Sequence, residues 1–314
     1  MNRRKVWAGL TVLWLGFIFW NALHTGTASD HMCSAVLAWL HELPGTARIS
    51  SCMAWEVARF TEFWILGALF SLWSHALMYT VQKRFTLSLL GVLQTAVIYE
   101  TVPYFVPGRT GMVRNVLIDF SSGACAVLIV AVLLWLLWGR KQIRQASCQD
   151  VGVSWKKTPH RWLFFVILAV LLCFIWGNSI LNACVSNEIS ETSLKIVRFL
   201  ETAAERNKFV KAAIEHMGIA VDNHRIRKLA HFSEYSLLGM ALLFLVGGNR
   251  RKPWEYWHLL WLLAVWIPVM DEGIQYFSKG RTPLITDVWI DFCGIVCGIF
   301  LASVFERLRR RLWH

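Results

Sequence analysis

Residues 227–239, RKLAHFSEYSLLG, and residues 271–298, DEGIQYFSKGRTPLITDVWIDFCGIVCG, decide how this chain folds. Both set ionisable groups into stretches otherwise apolar enough to cross a bilayer. Charge at that depth is costly, so such residues are rare there and mark a site more often than they fill space. Arg227, Lys228, His231, Glu234, Asp271, Glu272, Gln275, Arg281, Asp287 and Asp291 all fall near predicted helix ends.

The rest of the chain has the same apolar character. It is 56% hydrophobic and 14% aromatic, with a mean hydropathy of +0.47, above the apolar share of a soluble domain. Eight windows approach the length of about 20 residues that a spanning helix needs: 6–23, 60–79, 85–105, 116–138, 162–184, 229–246, 254–277 and 285–305. The expected fold is all-α, a polytopic membrane protein of about eight transmembrane helices. The first window follows Arg3-Arg4-Lys5 but is too long for a removable signal peptide and lacks a cleavage site.

The net charge of +12 does not point to nucleic acid. Its Lys and Arg lie mostly in short loops beside the predicted spans, where they set orientation. Arg3-Arg4-Lys5, Lys83-Arg84, the linker 140–160, Arg250-Arg251-Lys252 and the tail from Arg307 to Arg311 alternate correctly with eight spans. All fall on one side, expected to be cytoplasmic with both termini. The loop 187–228 is then external despite its basic residues, which share it with six acids. Within it, residues 189–217 have the apolar spacing of an interfacial helix or of one packed against the membrane domain. Cys33 and Cys52 share the first external loop, where a disulfide stays an open question. Many of the eighteen Trp fall near span ends and read as interface anchors.

The sequence also matches itself. Slid so that Phe60 falls on Phe232, it aligns without gaps to Cys125. Glu62 meets Glu234, Gly67 meets Gly239, Glu100 meets Glu272, Gly108-Arg109-Thr110 meets Gly280-Arg281-Thr282, and Asp119 meets Asp291. Similarity among apolar helices supplies Leu and Phe matches, not acids in one unbroken register. The expected architecture is two parallel four-helix repeats, 1–139 and 161–314, joined by the basic linker 140–160. Where the second copy has Lys228, His231, Asp271, Gln275 and Asp287, the first has Glu56, Arg59, Tyr99, Pro103 and Asn115. The C-terminal copy is thus the expected active one.

The second copy resembles the VanZ-like family of bacterial membrane proteins. The resemblance rests on Arg227-Lys228-x-x-His231-Phe232-x-Glu234-Tyr235-x-x-x-Gly239, on Asp271-Glu272-x-x-Gln275-x-Phe277 with Gly280-Arg281, and on Asp287-x-x-x-Asp291 with Gly294-x-x-x-Gly298. It implies a bacterial cell-membrane location and a cell-envelope role linked to low-level teicoplanin resistance. Family members often carry Asn where this chain has Asp291, so the carboxylate here is a departure.

Residues three and four apart share a helix face. Arg227, His231 and Glu234 therefore form one stripe, Asp271 and Gln275 a second, Asp287 and Asp291 a third, continued by Gly294 and Gly298. Three functional readings stay open. Arg227, Lys228 and Arg281, with Gln275, Asp287 and Asp291, would bind an anionic lipid or lipid-linked envelope precursor. In an enzyme, His231 would act as acid, base or nucleophile, helped by Glu234, Asp271 and Glu272, on a lipid-linked phosphate. In a non-catalytic scaffold the same groups would only pair with one another: Arg227 or Lys228 with Asp287, His231 with Glu234 or Asp271, and Arg281 with an acid. No cofactor or metal is expected: His231-x-x-Glu234 with Asp271 and Asp291 offers nitrogen and oxygen donors, but the spacing falls short of a zinc signature and the basic neighbours oppose a cation. The sequence does not specify an oligomeric state.

Overall fold

The computed structural model describes residues 3–23, 51–105, 111–149, 161–180, 223–247, 256–278 and 281–312. The pairing of Cys33 with Cys52, the interfacial helix over 189–217, Gly280, most of the linker and the Arg227 side chain lie outside the described residues. Among those described there is no strand. The described residues hold eight α-helices: α1 (Arg3–Leu23), α2 (Ser51–Ala76), α3 (Val81–Thr101), α4 (Val113–Gln149), α5 (Arg161–Ile180), α6 (Asn223–Gly247), α7 (Trp257–Gln275) and α8 (Ile285–Leu312).

Six of them, α1, α3, α4, α5, α6 and α8, contain a stretch long and apolar enough to cross a membrane. The chain is an all-α, multi-pass membrane protein. The other two expected spans, α2 and α7, form as helices of 26 and 19 residues. Their apolar runs are diluted by Glu56, Arg59 and Glu62 on α2 and by Asp271 and Glu272 on α7. Pro268 lies inside α7, a placement spanning helices tolerate better than soluble ones.

The chain divides into two units. The first holds α1 to α4 and the start of α7 up to Val269; the second holds α5, α6, the end of α7 from Met270, and α8. In the first, Arg59 of α2 bridges two buried acids, Glu100 of α3 and Asp119 of α4, its Nη2 lying 2.5 Å from a carboxylate oxygen of each. The same guanidinium sits 5.0 Å from the centroid of the Tyr99 ring. Glu100 also accepts the backbone N–H of Met112 at 2.9 Å, which pins the return from α3 to α4. Asn21 of α1 donates to Glu62 at 2.7 Å.

In the second unit α6 and α8 meet at backbone distance. A Cβ on Gly298 would overlap the Ser236 carbonyl oxygen, and one on Gly239 would overlap that of Ile295. At Gly294 it would stand 2.7 Å from the Phe232 oxygen. The first unit has the same close approach at Gly67, against the Gly123 carbonyl. Small residues let membrane helices pack this tightly. Gly298→Ala pushes α8 off α6 and is expected to cost the upper part of the about 1–3 kcal/mol range for overpacking, read as a lower unfolding midpoint in detergent.

Candidate functional site

The second unit gathers the acids of α7 and α8 opposite the imidazole of α6. Asp271 sits in the last turns of α7 and is fully buried. Its Oδ1 accepts from Ser179 Oγ of α5 at 2.6 Å, and its Oδ2 accepts from Gln275 Nε2 at 3.3 Å. Gln275, one turn further on, also donates to Glu272 Oε1 at 2.7 Å. The other Glu272 oxygen accepts the backbone N–H of Leu284 at 3.0 Å, so this buried carboxylate ties the end of α7 to the start of α8. Ser278 Oγ donates to the Ser179 carbonyl at 2.7 Å and fixes the turn after α7 against α5.

His231 presents Nδ1 3.8 Å from Asp291 Oδ1, and the Asp291 side chain is only 2% exposed. His231, Asp271 and Asp291 each offer a donor atom, and these atoms lie within 4.8 Å of one another. Above them Lys228, about one-third exposed, pairs with Asp287 at 3.6 Å. Arg281, partly exposed, acts electrostatically on Asp271 and Glu272. Glu234 is half-buried and adds a negative charge felt by Asp271 and Asp291. The cluster therefore has cations at its rim and acids at its floor.

The VanZ/LLP1 family model matches residues 162–306, the stretch that holds every one of these side chains. Over these residues the chain is VanZ-like. No curated protein and no solved structure matches the chain. The VanZ-like segment runs from the second residue of α5 into the last turns of α8, and its site draws on all four helices.

Set against the sequence reading, the VanZ-like site adds two partners. His231 was expected beside Glu234 or Asp271; its donor atom lies within 4.8 Å of one on Asp271, and it also pairs with Asp291 on α8. Ser179 was not singled out at all, although it supplies the shortest hydrogen bond to Asp271. Its signal was weak: a small hydroxyl at the end of α5, an otherwise apolar helix, next to Asn178, which matches Asn21 of the first copy. Lys228 with Asp287 is one of the pairings the sequence suggested.

Proposed function

We propose that the chain acts at the extracytoplasmic face on an anionic, lipid-linked envelope molecule, and that this lowers susceptibility to glycopeptides of the teicoplanin class. The observation that carries this reading is the layering of the VanZ-like site. Lys228 and Arg281 stand partly exposed where a head group arriving from the bilayer surface would meet them, while His231, Asp271 and Asp291 lie behind. Cations at a helix end capture phosphate through charge-assisted hydrogen bonds, and an ionisable cluster at membrane depth is a functional site by default.

The same reading takes the two termini as cytoplasmic, from the basic loops, and takes the two units as copies of one ancestor. Recurring contacts support the copies. Glu100 accepts the N–H of Met112 and Glu272 that of Leu284; Arg59 meets Asp119 where His231 meets Asp291. Both pairs keep the register found in the sequence. On this reading, residues 1–139 serve as scaffold and residues 161–314 as the acting half.

A second reading, a transferase or hydrolase of lipid-linked phosphate, is favoured by one feature: an imidazole within reach of two carboxylates is equipped for proton transfer. One experiment separates the readings. Expressed in a susceptible host, the wild-type chain is expected to raise teicoplanin tolerance, and His231→Ala is expected to remove that gain at equal membrane abundance. Lipid profiles of the same cells then show either a converted lipid-phosphate species that disappears with His231→Ala, which supports the enzyme, or an unchanged set of species, which supports binding. Undiminished tolerance in His231→Ala would rule out both.

A further inference from the structure

We propose that the VanZ-like unit binds a divalent cation through His231, Asp271 and Asp291. Three features carry the assignment. The first is the donor set. One imidazole nitrogen and two carboxylate oxygens come within 4.8 Å of one another from three different helices. Ligands of one ion at bond lengths of about 2.0–2.2 Å stand roughly 3–4 Å apart, so side-chain shifts below an ångström close the site. Mixed nitrogen and oxygen donors suit Zn2+ or Mn2+ better than Ca2+, which takes oxygen alone.

The second feature is a buried carboxylate oxygen left without a hydrogen bond. Asp271, Glu272 and Asp291 are all buried. Asp291 Oδ2 is buried with no hydrogen-bond partner among the described residues. A buried carboxylate oxygen left in that state is costly. Lys228 engages Asp287 at the rim, and Arg281 acts on Asp271 and Glu272. A bound dication would give the Asp291 oxygen a partner and offset the burial of these carboxyl groups.

The third is the first unit, which fills the corresponding seat with a cation of its own. In the register that lays Phe60 on Phe232, Arg59 falls on His231, Asp119 on Asp291 and Glu100 on Glu272. The Arg59 guanidinium lies between those two acids at 2.5 Å from each and against the Tyr99 ring. In the second unit the guanidinium is exchanged for a shorter, metal-ligating imidazole, and Tyr99 for a third acid, Asp271. The acids persist while the guanidinium that bridges them in the first unit is replaced at that position. Ser179 and Gln275, both hydrogen-bonded to Asp271, then have the place of outer groups that orient a ligand. Such an ion would also offset the floor of acids that otherwise repels an anionic head group, although its binding does not depend on that function.

The test uses the full-length, tag-free protein in detergent, stripped with chelator and titrated with Zn2+ and Mn2+ alone. Equilibrium dialysis is expected to return one ion per chain and a raised unfolding midpoint. Ser179→Ala should weaken binding about 10-fold, as loss of an outer group does, and Asp291→Ala by more than about 100-fold. His231→Arg restores the first unit's internal cation; it should abolish ion binding yet unfold no earlier than the stripped wild type. That last variant keeps the test decisive even where Asp291→Ala fails to fold. Wild-type protein that retains neither ion, or His231→Arg protein that binds one as the wild type does, overturns the assignment. Neither result bears on teicoplanin tolerance, so failure here is distinguishable from failure of the proposed function.

Discussion

Arg59→Met is expected to cost about 3–5 kcal/mol, the penalty for breaking a buried ion pair by removing one partner. Arg59 is the shared partner of Glu100 and Asp119, which are 2% and 0% exposed. Methionine keeps the apolar stem but leaves both carboxylates buried and uncompensated. The triple variant Arg59→Met, Glu100→Gln, Asp119→Asn should recover most of the loss, since neutral replacement of a whole buried network is far less costly than halving it. Unfolding midpoints in detergent check both. A single-variant loss of only about 1 kcal/mol, typical of a solvated surface pair, would show that water reaches the bridge.

The second large effect is on function instead of stability. Asp271→Asn retains a carbonyl oxygen for Ser179 but removes the negative charge from the middle of the cluster. Teicoplanin tolerance is expected to fall to the level of cells lacking the protein. Stability should stay within the about 1 kcal/mol of an ordinary hydrogen-bond adjustment, because burying an amide is less costly than burying a carboxylate. The matched change in the first unit, Tyr99→Phe, keeps the ring beneath Arg59 and should leave tolerance intact. The comparison tests the division of labour between the two halves. Equal losses from both variants, scaled to membrane abundance, would remove the case for a single acting half.

Much of this was legible in the sequence. The helices follow the apolar windows closely, because spanning length and the need to satisfy every backbone group internally leave a membrane chain few options. The pairs Lys228 with Asp287, and the close helix contact at Gly294 and Gly298, follow from residue type and spacing. The grouping of His231, Asp271 and Asp291 was partly legible as three stripes near helix ends. The exchange of Arg59 for His231 was visible in the alignment, but what it did to the acids around it was not.

Taken alone, then, the sequence determined an all-α membrane chain, a VanZ-like second half and the roster of polar residues, because hydropathy, helical periodicity and residue type are local properties. Only the tertiary structure decided who meets whom. Periodicity says which residues share a face; it does not set the rotation and axial shift of the neighbouring helix. Those are set where α8 presses its glycines onto the carbonyls of α6. From that seating follow His231 against Asp291, Ser179 reaching Asp271 across from α5, and Glu272 closing the turn onto Leu284.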